Sequence, residues 1–174
     1  MEKNARVKVI RDSDNKTIVV IDDIMFTGRQ QIDWEAVEEY LKQFVGEAFV
    51  MLETEDLVYI GADLPDEFAG SNYTKKLRGT LAKAKANAIQ GLPELVETAT
   101  RKRYKENMKD KHQSSAKYGW YRYDSKFALP VYNDAKEVER FNVFDVVLLV
   151  RHAHDGKLYL YDLLNIKKET GKPL

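Results

Sequence analysis

Hydrophobic and polar positions along this chain follow two different periods. Val7–Ile10 and Thr17–Ile21 are short β-branched runs on either side of the polar turn Asp12-Ser13-Asp14-Asn15, a pattern that predicts a hairpin. From Asp33 the period lengthens, with Val37, Tyr40, Leu41, Phe44 and Val45 recurring at helical spacing. Asp33 is a good N-cap, Glu35, Glu38 and Glu39 favour the positive end of the helix dipole, and Gly46 is a natural stop. Phe49–Leu52 and Leu57–Ile60 read as two further strands. The stretch GADLPDEFAGSNY, punctuated by Gly61, Pro65 and Gly70, reads as a loop.

Ser71–Gly91 is an alanine-rich helical stretch carrying Lys75, Lys76, Arg78, Lys83 and Lys85 and no acidic residue. Its apolar stripe is narrow (Tyr73, Leu77, Leu81, Ala84, Ala88), and Gly79, costing roughly 1 kcal/mol inside a helix, marks a kink or a close contact. Leu92-Pro93 opens another helix with Leu95, Val96, Ala99 and Tyr104 on its buried side, running into the basic RKRYKENMKDKHQ. From Lys111 to Thr170 the period falls to two. Three apolar, aromatic and β-branched runs are broken at Asn133-Asp134 and Asp155-Gly156, which is the signature of a β-meander. Asp155-Gly156 predicts a type I′ hairpin, whose two central residues both need φ > 0. The expected fold is therefore α+β, with a small acidic α/β portion over residues 1–70 and basic helices plus the meander over 71–174. One continuous domain is the alternative.

Composition narrows the chemistry. A chain of 174 residues, 44% hydrophobic and 32% charged, is expected to be a soluble globular protein. No apolar run approaches the ~20 residues of a membrane span, and the start shows no signal-peptide core, so no membrane partner and a cytoplasmic location are expected. With no cysteine, disulfides, thiolate metal sites and cysteine nucleophiles are excluded. Three histidines and no HExxH-like spacing leave no expected metal, and no cofactor is implied.

The net charge of zero hides an asymmetry. Asp12–Glu67 carries 15 acidic and 3 basic residues, a net of −12, while Ser71–Leu174 carries 21 basic and 12 acidic, a net of +9. Such a split points to a polyanionic partner for one half, or to contact between the halves. Two differently solvated surfaces with no partner are the plainer account.

A metal-free ribonuclease needs a base for the 2′-hydroxyl, an acid for the leaving 5′-oxygen, and cations for the phosphorane. His112, with an ordinary pKa of about 6.5, suits either proton-transfer role. Arg122, Lys126, Lys167 and Thr170 are placed to approach phosphate, although alternation sends Lys167 and Lys168 to opposite faces. Lys117, Trp120 and Tyr161 would bind the substrate, with the aromatics as stacking platforms. Each has a plainer account. His112 can be a solvated loop residue, His152 and His154 hairpin surface, and the tyrosines half-buried sheet residues.

The segments KYGWYRYDSKFALPVY, LLVRHAHDGKLYLYDLLNIKKET and YIGADLPDEFAGSNYTKKLRGTLAKAKANA resemble a domain found in proteins of phages and conjugative elements. That domain is grouped with the barnase–EndoU–colicin–RelE superfamily of metal-independent ribonucleases. The resemblance implies helices packed on one face of a four-stranded antiparallel sheet, with the active cleft on the open face. It implies His112, Arg122, Lys167 and Thr170 as catalytic residues, with Lys117, His152 or Glu169 as the second proton-transfer group. The function it implies is an RNA endonuclease of a mobile element, acting on tRNA or single-stranded RNA and leaving a 2′,3′-cyclic phosphate. Two other functions fit the residues. One is a non-catalytic inhibitor whose acidic face, around Glu35, Glu38 and Glu39, mimics nucleic acid or meets an immunity protein. The other is a nucleic-acid-binding structural module, recognised by its salt dependence.

Overall fold

A computed structural model describes residues 6–28, 31–106 and 116–169. Two N-terminal strands, β1 (Val7–Arg11) and β2 (Thr17–Ile21), form the first hairpin, in which Asp12 Oδ1 accepts from the amides of Asp14 and Lys16. Helix α1 (Trp34–Leu41) starts at Asp33, whose Oδ1 accepts from the Ala36 amide. A 3-10 turn (Lys42–Phe44) and Gly46, at φ +93°, end it. Strands β3 (Ala48–Val50) and β4 (Leu57–Tyr59) pair antiparallel. Four short helices follow: α2 (Leu64–Gly70), α3 (Asn72–Lys76), α4 (Gly79–Ala88) and α5 (Leu92–Glu97). Then come β5 (Thr100–Lys105), β6 (Trp120–Tyr132), β7 (Val138–His152) and β8 (Leu158–Lys168).

The expected four-stranded antiparallel meander with helices packed on it, beside a separate small α/β portion, is overturned. All eight strands belong to one mixed sheet, curled into a half-barrel, in the order β1-β2-β6-β7-β8-β4-β3, with β5 on the remaining stretch of β6. β6, β7 and β8 are consecutive and antiparallel, but β2 joins β6 in parallel at Val19–Phe127, and β4 joins β8 in parallel at Tyr59–Tyr159. The physical reason lies in burial. Ile18, Val19, Val20 and Ile21 are all buried, so β2 has apolar neighbours on both faces and must sit inside a sheet. Val19 and Ile21 enter the main core, while Ile18 and Val20 pack with Ala128 and Val143 on the other side.

Four local expectations also change. GADLPDEFAGSNY contains α2, with Pro65 in its first turn where a missing N–H costs nothing and Leu64 and Phe68 buried one turn apart. The long basic helix is broken at Leu77–Gly79, where Gly79 takes φ +59°. The last predicted helix ends at Glu97, and RKRYK is a strand in which Tyr104 is 57% exposed. At the β7–β8 turn only Gly156 has positive φ, so a turn closed by one left-handed glycine replaces the type I′ hairpin.

The helices cover one face of the sheet. Tyr123, Phe127 and Leu129 of β6, Phe144, Val146, Leu148 and Val150 of β7, and Leu160, Leu163 and Ile166 of β8 build the core with α1, α2, α4 and α5. Phe127 stacks on Phe144 with centroids 5.2 Å apart. Among the described residues no helix is long and apolar enough to cross a membrane.

Candidate nucleic-acid interface

The face turned away from the helices is set by alternation. If Tyr123 and Phe127 point into the core, then Trp120, Arg122, Asp124 and Lys126 point out. Directly opposed residues share a face, so the pairing register draws a row across five strands. Lys105 faces Trp120, Trp120 faces Arg151, Arg151 faces Tyr159, and Tyr159 faces Tyr59. At about 4.8 Å between strands this row is about 19 Å long. Its side chains touch. The Arg151 guanidinium lies 4.3 Å over the Tyr159 ring, Tyr159 and Tyr59 are 5.8 Å apart, and Lys157 sits 4.9 Å over Tyr59. The Trp120 and Tyr161 rings meet edge to face at 5.0 Å. Rings and cations therefore share one line, ending in the adjacent rings of Tyr159 and Tyr59.

Local sequence holds the row in place. Gly119, at φ +97°, precedes Trp120, and a Cβ there would stand 2.7 Å from the Tyr104 hydroxyl and 2.8 Å from the Lys105 carbonyl. Glycine is what lets β5 close on β6 beside Trp120. Helix α2 borders the row with acid, because Asp63 contacts Arg151 at 3.3 Å and Glu67 accepts a hydrogen bond from Tyr161. That bond and burial push the Tyr161 hydroxyl well above its ordinary pKa, burial being the larger cause.

The residues expected from sequence are distributed unevenly. Trp120 and Tyr161 meet on the open face. Arg122 lies there too, opposite Leu149 and Arg103, and among the described residues its guanidinium forms no hydrogen bond or ion pair. Lys126 is also on this face but is engaged by Asp145 at 2.8 Å and by Glu169. Burial alone would lower the Lys126 pKa, yet the hydrogen bonds its ammonium donates to these two carboxylates outweigh this and hold it above the ordinary value. Lys167 is exposed opposite Asp145. Lys117 lies outside the strands, its ammonium 5.5 Å from the Tyr118 ring. His112 and Thr170 lie outside the described residues. His152 is on the other face, with Tyr118 and Tyr121 against its ring and Nε2 3.2 Å from the Gly156 carbonyl.

Sequence reasoning missed Tyr59, Arg151 and the β5 cations Arg101, Arg103 and Lys105. RKRYK read as the end of a helix, and only Thr98 and Thr100 hinted at a strand. Tyr59 and Arg151 carry no local signal, since they meet only through the parallel β4–β8 pairing. Among the described residues no three His, Asp or Glu side chains converge on a point that could hold a metal ion. Comparisons with family models, curated proteins and solved structures return no match to this chain.

Proposed function

We propose that this protein binds single-stranded nucleic acid on the open face of its sheet, with RNA as the class its sequence resemblance points to. The observation that carries this reading is the row Lys105–Trp120–Arg151–Tyr159–Tyr59, with Arg122, which has no partner among the described residues, beside it. Rings accept unstacked bases regardless of sequence, and guanidinium and ammonium groups at strand spacing meet the phosphates between them. A duplex hides its bases and gains only the phosphate contacts. The endonuclease reading rests on His112 and Thr170.

The test is fluorescence anisotropy with a labelled 12-nucleotide oligouridylate, its DNA counterpart and a duplex of the same length. Single strands should bind at least tenfold more tightly than the duplex, and Tyr159→Ala should erase most of that preference, since each stacked base contributes about 1–3 kcal/mol. Equal affinity for single strand and duplex, unchanged by Tyr159→Ala, would sink the reading. The same RNA incubated in excess EDTA and analysed for 2′,3′-cyclic ends tests cleavage, with His112→Ala as its control.

A further inference from the structure

Beyond the row itself, the β5 margin of this face holds a cluster of arginines. Asp124, on the open face of β6, accepts from Arg101 Nη1 at 2.9 Å and from Arg103 Nη2 at 2.8 Å. Arg103 also donates to the Arg101 carbonyl at 2.7 Å, which ties the two residues together. Arg122 stands directly opposite Arg103. The ladder is irregular beside the cluster. The β5–β6 register slips between Thr100 and Arg103, and Arg101 takes φ +56°, a conformation that costs a residue with a side chain of order 1 kcal/mol or more. The Arg101 amide, turned out of the ladder, donates to Glu53 Oε2 at 3.0 Å. Across the slip Asp124 faces Thr100 in the register, and both arginine side chains reach its carboxylate.

We propose that Arg101, Arg103 and Arg122, ordered around Asp124, form a site for a terminal phosphate monoester of the strand bound along the row. This rests on the single-strand-binding reading and deepens it. Three properties single out a terminal phosphate. Among the described residues β5 pairs with β6 alone, so the cluster lies at the margin of the described sheet, where a strand laid across the row ends. Asp124 draws on one nitrogen from each of two guanidiniums, which among the described residues leaves the Arg122 fork and further N–H groups of Arg101, whose side chain is 73% exposed. A monoester offers three terminal oxygens and a charge of about −1.5 to −2, against the single charge of an internal diester. Guanidinium forks match such oxygens in pairs. Glu53 is engaged at the rim by the Arg101 amide, and Asp124 orients the arginines.

The experiment compares three 12-nucleotide oligouridylates in EDTA by anisotropy: hydroxyl at both ends, phosphate at the 5′ end, and phosphate at the 3′ end. One phosphorylated end should bind about tenfold more tightly than the hydroxyl form, the size of one charge-assisted hydrogen bond. Arg101→Gln, a change at an exposed side chain, should remove that gain while affinity for the hydroxyl oligonucleotide stays within about twofold. Equal, Tyr159-dependent binding of all three would overturn the terminal-phosphate site and leave the single-strand reading standing. A gain that survives both Arg101→Gln and Arg122→Gln would also overturn it. Failure of every oligonucleotide to bind would remove both proposals.

Discussion

The two faces of β6–β8 treat charge in opposite ways. Beneath the sheet, Lys85 of α4 is 0% exposed, with its ammonium 2.6 Å from Asp162 and beside the Thr74 hydroxyl. The Phe68 ring lies 4.5 Å below it and Tyr73 5.0 Å away. Burial pulls Lys85 down and Asp162 up, toward neutral forms, and their contact opposes this. Above the sheet, Arg122 has no partner among the described residues and stands between Arg103 and Leu149 on the neighbouring strands. A charge enclosed by its own chain holds α4, α3 and β8 together. A charge left open beside stacking surfaces is available to something else. Position along a strand does not separate the two cases, because Asp162 and Tyr161 are adjacent residues of β8.

The largest effect should come from the enclosed side. Lys85→Met strands the Asp162 carboxylate and should lower unfolding free energy by about 3–5 kcal/mol in denaturant titrations. Adding Asp162→Leu should restore much of it. If Lys85→Met alone left stability unchanged, the division between structural and available charge would collapse.

On the open side, Trp120→Ala should weaken single-strand binding by about 1–3 kcal/mol at one fixed salt concentration, with the unfolding midpoint little changed. Arg122→Ala should reduce the slope of log affinity against log salt by about 0.7, the value of one phosphate contact on a single strand. An unchanged slope would move Arg122 out of the interface. Asp63→Ala should act in the opposite direction, since it frees Arg151 from its carboxylate and should tighten binding about twofold to threefold.

The smallest effect concerns Asp56, which lies between the two regimes. Burial tends to raise its pKa, but hydrogen bonds from Lys102, Tyr123 and Thr54 outweigh this and hold the carboxyl below the ordinary value. The native carboxyl therefore gives up its proton more readily than the unfolded one. Its contribution is full above the unfolded value of about 4 and is lost as pH falls through the lower native value. Asp56→Asn should flatten the acid limb of the stability profile slightly and leave stability unchanged in its shape between pH 6 and 8.

Much of the local structure was legible before any tertiary structure. The Asp12–Asn15 turn, the Asp33 cap and the Val37–Leu41 stripe are decided within a few residues by hydrogen bonds and period. Alternation along β6, which is also local, puts Trp120, Arg122 and Lys126 on one face, whereas the register shifts against β7 interrupt alternation along β8. The α2 helix was hidden because Gly61, Pro65 and Gly70 read as punctuation, although Leu64 and Phe68 sit one turn apart. Strand β5 was hidden because RKRYK gains its conformation from pairing with Trp120–Asp124, across residues that sequence reading assigned to one basic helix.

What the chain determines by itself, then, is its periods, its caps and which residues alternate, since these depend on neighbours a few positions apart. Which strands pair was decided only by tertiary structure. β2 meets β6 about a hundred residues away, and β4 meets β8 at a similar distance. Those parallel contacts are selected by burying Val19, Ile21 and Val58 in one shared core rather than by any turn between them. The row of rings and cations exists because of those contacts: Tyr59 faces Tyr159 only after the sheet has closed, when the collective burial of apolar surface outweighs the entropy of joining distant segments.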